Sequence, residues 1–414
     1  MYAALFLLLI FYDCFEAFVP MANYWDELAA CCVLCWGAWS VWREPKLSRR
    51  EWFNWGALLL LVVIGALGNL VHPGLQESKA AILKDVIALC KFPAIFFVLQ
   101  RRTVSEEKQN EIISIAAKLS RWIVLVTLVA VTVGYFVDLG FYTGEVRIVP
   151  TFQFVFSHPT FYISSCVMIA SVLIAESIRK NRIYLLLDCL LIFMAQRTKG
   201  HIFIVFLLLV TLVGEKWIAK LLTSVFGSET EKVKPGKILL ASACLLTMIL
   251  VVGKSKIELS LSLGMAFART ALHIVGIRIL VDFFPLGSGF GTFASHLSGK
   301  YYSNIYEMYG ISGLNGMTRE KYNFISDVFW PYIYGQFGVF GLLIYVKLIL
   351  DIFFRQFRSR ITNGSRIAMA AVWVYALIAS TSEAYFTNGT GVQMALFLTL
   401  IIGYGDRKAA AELK

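Results

Sequence analysis

Residues 53–71 read FNWGALLLLVVIGALGNLV, with no Asp, Glu, Lys or Arg among them. As a helix this stretch is about 28 Å long, close to the thickness of a bilayer's hydrocarbon core. The rest of the chain repeats the pattern. Of 414 residues, 58% are hydrophobic and only 16% charged, against about 45–50% and about 25% in soluble chains, and the mean hydropathy is +0.70. An ordinary soluble enzyme is thereby excluded. The 32 Phe, 18 Tyr and 10 Trp suit the aromatic belts of a membrane protein. The apolar stretches are continuous rather than alternating, which excludes an outer-membrane barrel. An all-α integral membrane protein is expected, one polytopic domain over 1–414.

Apolar stretches long enough to span are read at 2–20, 24–42, 53–71, 80–99, 117–137, 159–177, 183–197, 201–218, 237–253, 328–350, 367–385 and 389–405, about twelve transmembrane helices. Connections after even-numbered spans are basic: Arg43, Lys46, Arg49 and Arg50; Arg101, Arg102 and Lys108; Arg179, Lys180 and Arg182; Lys216, Lys220, Lys232, Lys234 and Lys237; Arg355, Arg358, Arg360 and Arg366. The tail adds Arg407, Lys408 and Lys414, whereas the connections at 72–79 and 386–388 are nearly free of basic residues. Positive residues stay on the cytoplasmic side, so both termini are expected there. Most of the net charge of +11 is then a topology signal, and no nucleic-acid partner is expected. The eight cysteines match neither a zinc site nor a disulfide framework and are expected as small apolar residues. No cleavable signal peptide is expected, because the first apolar stretch carries Asp13 and Glu16 and lacks a basic start.

One connection breaks the short-loop pattern. Residues 254–327 form a large outer-face loop, whose apolar stretches at 259–267 and 274–284 predict two or three helices along the membrane surface. A shorter outer loop, 138–158, runs through Phe156-Ser157-His158 into Pro159. Two aromatic-rich outer loops over a helical bundle imply a covered cavity facing outside.

Ionisable groups in or beside spans are costly and therefore functional candidates. Arg197 and Lys199 sit in the turn Gln196-Arg197-Thr198-Lys199-Gly200, and Arg269 and Arg278 lie in the large loop. All four oppose the positive-inside bias. Arg forks match phosphate oxygens bidentately, so an outer cluster suits a diphosphate on a lipid carrier; snorkelling to headgroups or pairing with carboxylates is the alternative. Span four carries Lys84, Asp85 and Lys91, with Asp85 read as neutralising Lys84. Asp13, Glu16, Asp26, Glu27 and Glu383 are further carboxylates at outer ends of spans. In Pro285-Leu286-Gly287-Ser288-Gly289-Phe290-Gly291, the amides of Gly289 and Gly291 are able to approach an anion or a sugar. Asp327, in Ser326-Asp327-Val328-Phe329-Trp330-Pro331, stands at the membrane lip, placed either as a general base or as a helix cap.

This combination resembles the O-antigen polymerase and ligase superfamily of bacterial polysaccharide assembly over roughly residues 150–350. Four ordered features carry the likeness: Arg197-x-x-Gly200, Arg269-x-x-Leu272, the Pro-x-Gly-x-Gly-x-Gly run at 285–291, and Gly338-Val339-Phe340-Gly341. The resemblance implies a GT-C-like helical fold in the bacterial inner (cytoplasmic) membrane. It implies transfer of a glycan from undecaprenyl diphosphate to an acceptor on the outer face, with no cofactor and no metal. The ligase branch has a His where Asp327 stands, so the polymerase branch is implied, joining repeat units into O-antigen, capsule or exopolysaccharide by inverting transfer. Under it Arg197 and Arg269, with Arg278 and Lys199, hold the diphosphate, and Asp327 orients or deprotonates the acceptor hydroxyl. His158, Gly289, Gly291 and Trp330 complete the substrate-binding set, with Tyr301, Tyr302 and Tyr332 as further sugar-stacking candidates. A flippase and a chain-length regulator are implied partners. Ligation to lipid A-core, or transport of a lipid-linked oligosaccharide, is the alternative activity.

Overall fold

In lipid no water is present to bond the backbone, so an apolar chain satisfies its amides and carbonyls internally as helix. The computed structural model of this chain describes residues 2–16, 24–43, 46–99, 105–227, 235–358 and 361–403. Arg101, Arg102, Lys232, Lys234, Arg360, the tail cations Arg407, Lys408 and Lys414, and both termini lie outside the described residues. About three quarters of the chain is helical, as expected of an all-α membrane protein.

The order is α1 (Tyr2–Ile10), α2 (Tyr12–Glu16), α3 (Trp25–Arg43), α4 (Arg49–Val71), α5 (Lys79–Leu99), α6 (Glu106–Phe136), β1 (Tyr142–Val146), β2 (Pro150–Phe152), α7 (Pro159–Met194), α8 (Thr198–Val213) and α9 (Glu215–Phe226). Then follow α10 (Pro235–Val252), α11 (Lys254–Leu263), a 3-10 turn, α12 (Ala268–Asp282), α13 (His296–Lys300), α14 (Ile305–Met308), α15 (Trp330–Arg358), α16 (Asn363–Ala379) and α17 (Gly389–Phe397), which continues as a π turn. Among the described residues, α4, α6, α7 and α15 are each long and apolar enough to cross a membrane. Two bent pairs, α8 with α9 and Ile257–Ala266 with α12, raise the number to six if each is one span.

The enclosed centre is α7, flanked by α6, α8 and α16. Its Tyr162 Oη donates to Leu191 O at 3.4 Å, although a straight helix would hold those residues about 44 Å apart. The chain therefore reverses at Ser177 (φ −178°, ψ 121°), and α7 is a hairpin of two antiparallel arms. These correspond to the stretches read at 159–177 and 183–197. Arg179, Lys180 and Arg182 lie at the bend, where Asn181 Nδ2 donates to Leu173 O (2.9 Å) and Arg121 pairs with Glu176 (2.5 Å).

Several expectations are corrected. In the stretch read at 2–20, the described residues 2–16 form two short helices interrupted at Phe11. The stretch 201–218 is broken at Gly214, whose φ of +93° turns the chain by 118° into α9. That helix buries Ile218, Ala219 and Val225 and exposes Lys216, Trp217 and Lys220. In the large loop, α12 packs along α15, burying Ala271, Leu272, Val275 and Ile279. The loop at 138–158 contains an antiparallel hairpin, β1–β2. Asp85 does not neutralise Lys84, which is exposed while Asp85 is buried. Instead Asp85 Oδ2 accepts the Gly291 amide at 2.8 Å, while Lys91 pairs with Asp26 and with Glu27 (3.6 Å).

The glycine run packs main chain on main chain. Ser288 N donates to Gly335 O (3.0 Å) and Gly289 N to Gln336 O (2.9 Å). Asn69 brackets Phe290, accepting from its amide at 2.8 Å and donating to its carbonyl at 3.0 Å. Gly338, at φ +61°, interrupts α15 at this joint, and a Cβ there would sit 2.1 Å from Pro285 O. Gly338→Ala therefore combines backbone strain with overpacking and is expected to destabilise the protein by about 2–5 kcal/mol. Thermal unfolding in detergent measures this, and an unchanged midpoint would show that the joint yields freely.

Candidate functional site

A cavity of about 1020 Å³ forms where the N-terminal ends of α7, α8, α12 and α17 come together; His158, Arg197, Phe267 and Asn388 all line it. Helix N-termini carry unpaired amides and the positive end of the helix dipole, so their convergence favours an anion. Lys199 and Arg269 are each the second residue of a helix, α8 and α12. A cation there opposes the dipole by about 0.3–1 kcal/mol. Folding stability gives no reason to place positive charge at two such ends facing one cavity.

Local geometry holds each group. Gln196 adopts φ +52°, unusual for a non-glycine residue. The turn is secured because its Nε2 donates to Phe193 O (2.8 Å), its Oε1 accepts from Ile148 N (3.3 Å) and its carbonyl accepts from Arg147 Nη1 (2.9 Å). Arg197 follows from that turn into the cavity and pairs with Glu145 at 3.3 Å. Lys199 pairs with Glu383 at 2.7 Å, with only 10% and 14% of the two side chains exposed. Arg269 directs both Nη2 (3.0 Å) and Nε (3.2 Å) onto Asp327 Oδ2. Asp327 precedes α15 by three residues and is held by Arg269, so it is not the cap of that helix. Asp13, from α2, accepts from Ser157 N (2.7 Å) and Oγ (2.8 Å), fixing the residue beside His158.

His158 caps α7, its Nδ1 accepting from Thr160 N at 3.2 Å. Burial first, then the charges of Arg197 and Lys199, push its pKa down to about 4. The ring is neutral at pH 7, and the occupied Nδ1 assigns its proton to Nε2, a donor. Burial also holds the Asp327 carboxyl above the usual carboxylate value, an effect that Arg269 and then Lys199 offset only in part.

The cavity thus unites Arg197, Lys199, Arg269, Asp327 and His158 from four distant stretches. The other expected site residues lie elsewhere. Arg278 is on the exposed face of α12, and Trp330 donates to Ser380 Oγ at 3.2 Å. The amides of Gly289 and Gly291 go to Gln336 O and to Asp85 with Gln336 Oε1, so the glycine run serves packing rather than an anion. Tyr302 donates to Met317 O, and Tyr332 is buried among Phe329 and Phe337. Sequence reasoning missed Arg147, Glu145, His273 and His296, which also line the cavity. Arg147 was detectable by the criterion that singled out Arg197, a cation in a stretch whose reading from the sequence is outer-face.

Of the residues lining the cavity, Arg197 and Glu383 each carry one buried side-chain atom with no hydrogen-bond partner among the described residues, Nε and Oε1 respectively. A buried polar atom left unpaired costs about 1–3 kcal/mol, and a polar ligand in the cavity would have two such atoms to bond. No protein-family model, curated protein or solved structure matches this chain.

The Lys199–Glu383 pair is buried enough for its halves to be interdependent. Lys199→Met leaves an uncompensated carboxylate and is expected to destabilise by about 3–5 kcal/mol. Lys199→Met with Glu383→Gln should recover most of that loss in detergent melts. A double variant no more stable than the single one would mean that the two side chains act separately.

Proposed function

We propose that this protein is a polysaccharide repeat-unit polymerase of the bacterial cytoplasmic membrane. It would join oligosaccharide units carried on undecaprenyl diphosphate at the outer face, by inverting glycosyl transfer. In this reading the chain has twelve spans, both termini in the cytoplasm and a GT-C-like architecture. The observation that carries it is the single cavity holding Arg197, Lys199, Arg269, Asp327 and His158 at converging helix N-termini. The motif resemblance adds the lipid-diphosphate donor.

The chemistry follows from these groups. Asp327 Oδ2 is tied to Arg269, leaving Oδ1 to accept the proton of an acceptor sugar hydroxyl. As that proton leaves, the hydroxyl oxygen attacks the donor's anomeric carbon. The bond from that carbon to the diphosphate oxygen breaks, and its electron pair departs with the diphosphate. Arg197, Arg269 and Lys199, with the helix dipoles, stabilise the charge that develops. Neutral His158 donates from Nε2 without adding a charge. Transport of a lipid-linked oligosaccharide drew support from Lys84, Asp85 and Lys91, but Asp85 and Lys91 have protein partners and Lys84 is exposed.

Purified protein in detergent, supplied with an undecaprenyl-diphosphate repeat unit, is expected to yield a polymer ladder and free carrier diphosphate. Micelles have no sides, so transport cannot produce that result. Movement of the unit across sealed vesicles without a ladder would make the protein a transporter. Arg197→Ala and Arg269→Ala should each lower kcat by about 10²–10³-fold at unchanged membrane levels, and normal polymer from either variant would remove the clamp.

The base role sets a pH dependence. Activity is full while Asp327 is ionised and falls as pH drops through its pKa, which burial has raised. The acid limb should therefore begin at higher pH than an exposed Asp would allow, whereas His158 stays neutral down to about pH 4. Asp327→Asn should abolish activity at every pH. An active Asp327→Asn enzyme with the same acid limb would place the base elsewhere.

A further inference from the structure

The hairpin β1–β2 brings two charged residues to the cavity that the polymerase reading does not use. Glu145 Oε2 lies 3.3 Å from Arg197 Nη1 and 3.4 Å from Arg147 Nη2, so one carboxylate oxygen bridges two guanidinium groups. Arg147 is fixed independently, because its Nη1 donates to Gln196 O at 2.9 Å while the next residue's amide, Ile148 N, donates to Gln196 Oε1 at 3.3 Å. The hairpin tip and the turn carrying Arg197 are thus one unit. The Glu145 side chain is 53% exposed and, among the described residues, pairs only with these two arginines. Between them Arg197 Nε remains buried and unpartnered.

We infer that Arg147 and Arg197 form a seat for one phosphate group of a lipid diphosphate, and that Glu145 occupies this seat until the ligand displaces it. The inference rests on the polymerase reading for the identity of the anion. Its physical basis is that carboxylate and phosphate fit the same guanidinium forks. A phosphate brings more charge and a further oxygen, able to satisfy Arg197 Nε. Glu145, tethered two residues from Arg147, competes at high effective concentration and returns when the diphosphate leaves. The seat therefore favours turnover: empty, it is neutralised rather than left as two repelling cations, and product release is assisted from within the chain.

The test is isothermal titration of the whole protein in detergent with farnesyl diphosphate, which needs no knowledge of the sugar. Glu145→Gln removes the competing charge and is expected to bind about tenfold more tightly than the wild type, and Arg147→Ala about tenfold more weakly. In the double variant the gain from Glu145→Gln should vanish, since there is no longer a pair of arginines for the carboxylate to block. Both positions are on the hairpin tip, and unchanged melting temperatures establish that the shifts are not misfolding. Equal affinity of wild type and Glu145→Gln would overturn the stand-in role, and equal affinity of wild type and Arg147→Ala would overturn the seat. If the wild type makes polymer in either case, the polymerase reading stands and only this inference falls. Absence of diphosphate binding by the wild type and every variant would sink both.

Discussion

Where the glycine run 285–291 meets α15, main chain lies directly on main chain, and there is no room for a side chain between them. The amides of Ser288 and Gly289 bond the carbonyls of Gly335 and Gln336, and Gly338 turns the helix at the one place where Pro285 O would strike a Cβ. Asp85 and Gln336 share the Gly291 amide, so α5 enters the same joint. Through it the segment between α12 and α15 is clamped at both ends. Arg269, at the start of α12, and Asp327, just before α15, are thereby held within bonding distance across 58 residues of sequence. Overpacking at such a contact is costly because the backbone has no rotamer to change.

The cavity shows the opposite economy, with positive charge gathered where local stability disfavours it. Arg197, Lys199 and Arg269 stand at helix N-termini, and each is kept in place by a carboxylate: Glu145, Glu383 and Asp327 respectively. These pairs differ in burial. Lys199–Glu383 is enclosed, whereas Glu145 is half in solvent and Arg269–Asp327 lies between. A buried pair behaves as a fixed dipole, but an exposed carboxylate is readily exchanged for another anion. The ranking divides the site into a permanent wall and a replaceable contact.

Much of the fold was legible because lipid imposes one rule on every span. Continuous apolar stretches such as 53–71 read as helices and are helices, and the basic bend at Arg179–Arg182 marks the reversal inside α7. The failures sit where one residue redirects the chain. Gly214 ends α8 early, and Gly338 interrupts α15. Hydropathy averages over such residues and cannot register them. Arg197, Lys199 and Arg269, which the sequence singles out by an expected position against the positive-inside bias, line one cavity. Arg278, singled out on the same ground, is exposed on α12, because position along the helix decides which side a residue takes.

The amino-acid sequence by itself determined that this is a helical membrane protein, and it singled out Arg197, Lys199, Arg269 and Asp327 as anomalous. Both are local properties, since each residue's transfer cost and charge can be summed without knowing its neighbours. The tertiary structure decided that Asp327 bonds Arg269, that Asp85 serves the glycine joint, and that Arg147 and Glu145 reach the cavity from a hairpin. Those outcomes depend on contacts between stretches tens to hundreds of residues apart. Such contacts are set by how closely helices approach and where they bend, and no single segment encodes either.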